Sequence, residues 1–459
     1  MLGENDGWVD SLRRCGVNLQ SVKPDLVVAP SGLIDDAIAG GAEMLIIEGK
    51  DARRALRASG FHARCYVPLP NADEPQLFVP LGSTVARYAL GSRMTAWKRW
   101  KRVRNLIAGE VLSRGLFPPI RTLVTVAARQ PGLPFLIAEA ATLGAPSDLD
   151  WILIPGQGDV LARGTFLLFQ RGCDAPEWAL KFKRLQGADE RIDMDRRGLE
   201  LARNAGETVA AHVPRFFGQI EHAGFVASLE SAAKGQLLND YFLSPASYES
   251  KLQAIDSVVS WLVELARTTS ASPDLLERER ARLVSDVVPQ WSRLGANADL
   301  VHELPRLRAV CQHNDLGTWN ILIQSGDFTV LDWESALRHG FPLWDALYFL
   351  SDAIAHLDGA HSPAARAEHF ARLFRGELDS SELLVTKLES VLEASEVPTE
   401  ALGSVATLCW LHHALADRAR RQQAGPSNPS SDDASWVAAE RARVWLATPG
   451  LGADWRLPT

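Results

Sequence analysis

The stretch that most constrains this chain is Cys311–Gln312–His313–Asn314–Asp315–Leu316–Gly317–Thr318–Trp319–Asn320 together with the hairpin that follows it. Ile321–Leu322–Ile323–Gln324 and Phe328–Thr329–Val330–Leu331 read as strands, and Ser325–Gly326–Asp327 as the turn between them. A hairpin folds its two ends back together. Asn320, just before it, and Asp332, just after it, are therefore brought to the same end. A loop with His, Asp and Asn in eight residues, closed by such a hairpin, must be anchored by a core on either side.

The residue types indicate the chemistry. Asn320 and Asp332 are hard oxygen donors of the kind Mg²⁺ takes, and that ion needs few protein ligands. Asp315 is placed to accept a hydrogen bond from a substrate hydroxyl and to take its proton. Phosphoryl transfer, which is mostly positioning and charge neutralisation, is the reaction that uses such a set. His313 is expected to anchor the loop by hydrogen bonds. Glu334 has two readings, contact with a second ion or the cap of a turn. His313 to Asn320 fits H-x-D-L-x-x-x-N, similar to the catalytic loop of protein kinases with Asn314 in place of the usual Arg.

Upstream, Thr122–Val126, Trp151–Ile154, Thr165–Gln170 and Glu177–Lys183 read as strands, and Pro155–Gly156–Gln157–Gly158–Asp159 as a glycine-bearing turn. Strand, glycine turn, strand, strand with an embedded lysine resembles the order of a kinase nucleotide lobe. Gly156 and Gly158 would let the backbone approach phosphates. Lys181, in Ala179–Leu180–Lys181, would neutralise their charge, with Lys183 as its rival on the same face. An acid on the helix near Asp193–Asn204, either Asp195 or Glu200, is expected to orient that lysine. Glu230 to Ala233, after the next pair of strands, is the candidate nucleotide-edge segment, with Glu230 and Ala233 at its ends.

The first 115 residues alternate strands (Asp25–Pro30, Glu43–Glu48) with helices (Leu33–Gly41, Asp51–Ser59), then give two strands (His62–Leu69, Gln76–Leu81). This predicts a parallel sheet with an antiparallel edge. It resembles the second half of a class I methyltransferase sheet, without a glycine-rich loop for S-adenosylmethionine, since Gly40–Gly41 reads as a helix stop. A non-catalytic module is the expectation. Arg93 to Arg104 forms a basic helix with Trp97 and Trp100, suited to packing between domains or to peripheral contact with an anionic surface.

From about residue 235 onward the chain is mainly helical, over Tyr248–Arg267, Pro273–Gly295, His361–Arg375, Asp379–Ser395, Thr399–Gln422 and Ser435–Leu446, with a loop at 423–433. The net charge of -8 argues against nucleic acid as a partner. The five cysteines are scattered, with no C-x-x-C pair, and suit a reducing compartment. No apolar run approaches the ~18 residues that span a bilayer, and residues 1–17 lack the apolar core of a signal peptide. A cytoplasmic location is expected.

Taken together, His313, Asp315, Asn320, Leu331–Asp332–Trp333–Glu334 and Gly340–Phe341–Pro342–Leu343–Trp344–Asp345 resemble the aminoglycoside phosphotransferase and choline kinase-like family over roughly residues 150–420. Asp345 is expected to be structural, capping the following helix. The resemblance implies an α+β bilobal protein-kinase-like fold, with a β-rich N-lobe at 116–234 and a helical C-lobe at 235–459, preceded by a small α/β domain at 1–115. It further implies ATP or GTP with Mg²⁺, and transfer of the terminal phosphate to a hydroxyl of an aminoglycoside, sugar, amino alcohol or glycan precursor. Asp332 is followed by Trp-Glu rather than Phe-Gly, and no long activation segment follows, which points away from protein substrates. The acceptor pocket is expected to draw on the 14 tryptophans. The competing readings are a non-catalytic binding or scaffold protein of kinase fold and a methyltransferase–kinase fusion.

Overall fold

The computed structural model describes residues 26–30, 44–48, 52–71, 75–94, 99–116, 123–128, 135–155, 163–183, 189–222, 225–287, 300–424 and 432–458. The chain divides into two compact units. The first comprises residues 1–193 and 214–235, the second residues 194–213 and 236–459.

The first unit is built on one ten-stranded sheet in the order β1-β2-β5-β3-β4-β6-β7-β8-β10-β9. The strands are β1 (Leu26–Pro30), β2 (Met44–Glu48), β3 (His62–Leu69), β4 (Leu77–Pro80), β5 (Val124–Ala128), β6 (Leu149–Ile154), β7 (Arg163–Gln170), β8 (Trp178–Lys183), β9 (Phe216–His222) and β10 (Phe225–Ser231). Helix α1 (Ala52–Ala58) precedes β3, and α2 (Arg99–Ser113) precedes β5.

Strands expected on both sides of residue 115 share this sheet. β5 lies antiparallel between β2 and β3, and β4 continues the sheet to β6 through the pair Phe78–Leu153. The expected parallel sheet is present only in the pairing of β1 with β2, and the β3–β4 hairpin is internal rather than an edge. Packing on both faces of the sheet explains the continuity. Alternate residues of each strand enter two cores. Tyr66, Phe78, Trp151, Phe166 and Leu180 bury on one face, and Val67, Val79, Ile152, Leu167 and Ala179 on the other. Each core runs without a break from β3 to β8. The helix expected at Leu33–Gly41 lies outside the described residues.

The second unit is mainly helical. It contains most of α3 (Asp189–Arg203), then α4 (Tyr248–Thr269), α5 (Trp344–Leu357), α6 (Pro363–Phe374), α7 (Ser381–Ser395), α8 (Leu402–Ala424) and α9 (Asp432–Ala447). Serine caps start two of them. Ser247 accepts from the Ser250 amide at α4, and Ser362 from the Ala365 amide at α6, where Pro363 opens the first turn. Among the helices sits the small sheet β11 (Gln236–Leu237), β13 (Ile321–Gln324), β14 (Asp327–Val330) and the pair β12 (Val310–Gln312) with β15 (Leu337–Gly340).

The tryptophans differ from expectation. Trp261, Trp333, Trp344, Trp410, Trp445 and Trp455 are all buried core residues. Phe374 packs edge-on against Trp410, Trp445 and Trp455. Most of the buried indole N–H groups find internal acceptors, such as Trp344 on the Val405 carbonyl and Trp455 on the Phe374 carbonyl, while that of Trp410 has none among the described residues.

Candidate active site

The loop after β12 is held by hydrogen bonds from both of its sides. His313 is fully buried. Its Nδ1 accepts from the Asp315 amide at 3.2 Å, so Nε2 carries the proton and donates to the Leu331 carbonyl at 2.8 Å. One imidazole thus ties the loop to the end of the hairpin, with its ring edge-on to Trp333. The expected anchoring role of His313 has this geometry.

Asp345 lies in the first turn of α5, but it does not cap that helix. Its two carboxylate oxygens accept from the amides of His313 (2.6 Å) and Asn314 (2.8 Å). Burial pushes this carboxyl up, against the pull of His313 and those two amides. Asn314 needs the support, because its φ of 66° is in the left-handed region. Asp352 stands seven residues further along α5, two turns on and on the same face. It accepts from the Thr318 amide at 3.2 Å and the Thr318 hydroxyl at 2.5 Å. Two acids on one otherwise apolar helix therefore grip both ends of the loop. Close packing does the rest. A Cβ at Gly317 would lie 2.3 Å from the Trp319 ring.

Asn320 donates its side-chain amide to the Asp315 backbone carbonyl (2.8 Å) and to the Asp315 carboxylate (3.1 Å). With its nitrogen committed to Asp315, the atom it offers outward is the carbonyl Oδ1, a hard oxygen donor. The hairpin pairs Ile321 with Val330 and Gln324 with Asp327, so Asp327 belongs to the second strand and the turn is Ser325–Gly326, one residue shorter than expected. The Leu331 amide extends it by donating to the Asn320 carbonyl at 2.8 Å. Asp332 is the next residue, in a left-handed conformation with φ 64°. Asn320 thus contacts Asp315, and Asp332 directly follows the residue paired with Asn320. An amide oxygen and a carboxylate at one hairpin end fit Mg²⁺, which retains waters and takes few protein groups. Among the described residues no group of three His, Cys, Asp or Glu side chains is arranged to hold a metal.

Helix α3 fixes the segment after Asp332. Asp195, expected as a partner of Lys181, is buried and accepts from the Trp333 amide at 2.9 Å. One turn along, Gly198 has no side chain where a Cβ would lie 2.1 Å from the Trp333 carbonyl oxygen. Glu200, the other candidate, is exposed and pairs with Arg196.

In the first unit, Lys181 Nζ lies 2.5 Å from Glu230 Oε1, and both side chains are buried. β8 and β10 are antiparallel neighbours with Ala179 opposite Glu230, so the two side chains reach each other on one face of the sheet. The strand register thus sets a buried acid beside Lys181 that lies outside the helix where one was expected. Ala233 is half-buried in the loop after β10. Gly156, Gly158 and the side chain of Lys183 lie outside the described residues.

Residues 162–384, just under half of the chain, match the model of a phosphotransferase enzyme family. No curated protein matches the chain. Among solved structures, an aminoglycoside phosphotransferase in complex with GDP and kanamycin is 14% identical, with 65% of this chain and 92% of that one aligned at a TM-score of 0.36. The bifunctional kinase–methyltransferase WbdD is 10% identical over 84% of this chain and 72% of that one, at 0.32. An aminoglycoside phosphotransferase from Streptomyces rimosus is 13% identical over 66% and 95%, at 0.33.

Proposed function

Taking residues 162–384 as a member of the phosphotransferase enzyme family, we propose that the chain transfers the terminal phosphate of ATP or GTP to a hydroxyl of a small molecule. The observation that carries this reading is the contact of Asn320 with the Asp315 carboxylate on a loop locked by His313, Asp345 and Asp352. Such locking holds a general base in its working orientation before substrate arrives, which is where most of the rate enhancement in phosphoryl transfer originates.

In this reading Asp315 accepts the hydroxyl's hydrogen bond, aligns its oxygen and takes the proton as the bond to phosphorus forms. Asn320 Oδ1 and the Asp332 carboxylate hold Mg²⁺, which when bound neutralises phosphate charge. Lys181 meets the nucleotide phosphates and Glu230 keeps its ammonium aimed. Gly156, Gly158 and the backbone at Ala233 serve the nucleotide. The acceptor is a sugar, amino alcohol, aminoglycoside or glycan precursor. A phosphotransfer screen over these classes, using γ-labelled ATP and GTP, tests the reading. Asp315→Asn is expected to lower the rate by roughly 10²–10⁴-fold with the fold unchanged. Transfer at the wild-type rate by Asp315→Asn or Asp332→Ala would remove the proposed roles.

Helix α2 supports peripheral contact with an anionic surface. Trp100, Val103, Leu106 and Ile107 are 49–60% exposed at helical spacing, and Lys101 and Arg104 lie within 6 Å of the Trp100 ring. Sedimentation with anionic vesicles is expected and should weaken in Trp100→Ser/Ile107→Ser. Equal sedimentation with zwitterionic vesicles would contradict it.

A further inference from the structure

A cavity of about 230 Å³ lies in the second unit among α5, α6 and α9. Ala355, Ala364, Ala367 and Phe370 give it an apolar lining, and two cationic residues, Arg366 and Arg441, also line it. Neither arginine serves the chemistry above, so the charge they bring needs an account.

Arg366 is fully engaged. It donates to the Asp352 carboxylate (3.2 Å), to the Ala360 carbonyl (3.3 Å) and to His356 Nε2 (2.6 Å). An imidazole nitrogen that accepts from arginine is unprotonated, and burial holds His356 down to about 4, so it adds no charge at neutral pH. Arg441 is different. It is 5% exposed and stacks over the Tyr348 and Trp410 rings. One terminal nitrogen reaches Asp352 at 3.4 Å. The other, Nη1, is buried and has no hydrogen-bond partner among the described residues. Burial alone would raise the Asp352 carboxyl, but Arg441 and Arg366 hold it below the usual range, so it is a single negative charge. The remaining acid of the lining, Glu440, is paired to Arg443. Two cations thus face one anion in an apolar pocket.

A buried guanidinium with an unmade hydrogen bond is costly, and its planar fork is matched by an oxyanion. We infer that this cavity is a binding site for a small organic acid, whose carboxylate or other oxyanion offsets the excess positive charge of Arg366 and Arg441 and whose compact apolar body lies against Phe370 and the alanines of α5 and α6. The site is one carboxylate away from the loop, because the other oxygen of Asp352 holds Thr318. It requires no nucleotide chemistry.

The test is direct binding to the full chain without nucleotide, by calorimetry and ligand-observed NMR, with benzoate, its neutral isostere benzamide, and inorganic phosphate. Benzoate is expected to bind saturably, and benzamide at least about tenfold more weakly. Arg441→Met should lose binding. Ala364→Trp, a change at the exposed rim that leaves every charge in place, should lose it too while retaining the wild-type circular dichroism spectrum. The inference is overturned by absence of saturable benzoate binding, by equal binding of benzamide, by retained affinity in Ala364→Trp, or by phosphate binding where benzoate does not. Because phosphotransfer is not read, an inactive Asp315→Asn chain serves equally well, and failure here is separable from failure of the kinase reading.

Discussion

Gly198→Ala isolates the contact that sets Asp332. In a helix interior this change ordinarily stabilises, by about 1 kcal/mol. Here the new Cβ would lie 2.1 Å from the Trp333 carbonyl oxygen and 2.8 Å from the Trp333 Cβ. Neither is the end of a flexible side chain, so helix α3 or the Trp333 backbone must retreat by more than about 1 Å to restore ordinary contact. Retreat stretches the 2.9 Å bond from the Trp333 amide to Asp195. Overpacking costs about 1–3 kcal/mol, and weakening a hydrogen bond to a buried carboxylate costs about 1.5–3. Against the helix gain, the net is a loss of about 1.5–5 kcal/mol, or roughly 3–20 °C in Tm for a unit of this size. Asp332 is the residue before Trp333, so the rate of phosphotransfer should fall by on the order of 10²-fold from misplacement alone. Thermal unfolding followed by circular dichroism reads the first effect, and the transfer assay with a hydroxyl acceptor the second. A Tm equal to or above wild type would refute the reasoning, since it would mean that α3 does not press on Trp333. Asp195→Asn, which keeps an acceptor oxygen, should be milder than Asp195→Leu.

Glu230→Ala removes the acid paired with buried Lys181 and should destabilise by about 3–5 kcal/mol, whereas Lys181→Met with Glu230→Leu should recover most of that; denaturant unfolding of both variants beside wild type decides. Stability should also fall with acid through His356. Its folded value of about 4 lies below the unfolded 6.5, so the contribution is complete above pH 6.5. It is lost as the unfolded chain takes up a proton first, by roughly 3 kcal/mol on reaching pH 4. The Tm difference between wild type and His356→Gln should therefore shrink across that window, and a constant difference would exclude His356 as its source.

Local order in the sequence determined a good deal. The loop His313–Asn320 and the existence of the hairpin after it follow from residues within twenty positions of one another, where turn chemistry and period-two alternation decide geometry. The match of residues 162–384 to a phosphotransferase family agrees with that reading. Lys181 was legible from its strand. Asp345 was expected to cap its helix and Asp352 drew no expectation, and only the fold shows what the two acids hold.

Tertiary structure decided the rest, because the partners are distant in sequence and paired by register or packing. Glu230 meets Lys181, since β10 lies beside β8. Asp195 and Gly198 serve Trp333, 135 or more residues away, through one turn of helix. The first strands join the sheet of the later ones because both of its faces carry continuous apolar surface, which no local pattern reveals. Arg441 became informative only when burial showed one of its nitrogens without an acceptor. Sequence fixes what each short segment prefers, while the cost of burying unpaired charge and empty space decides which distant segments meet.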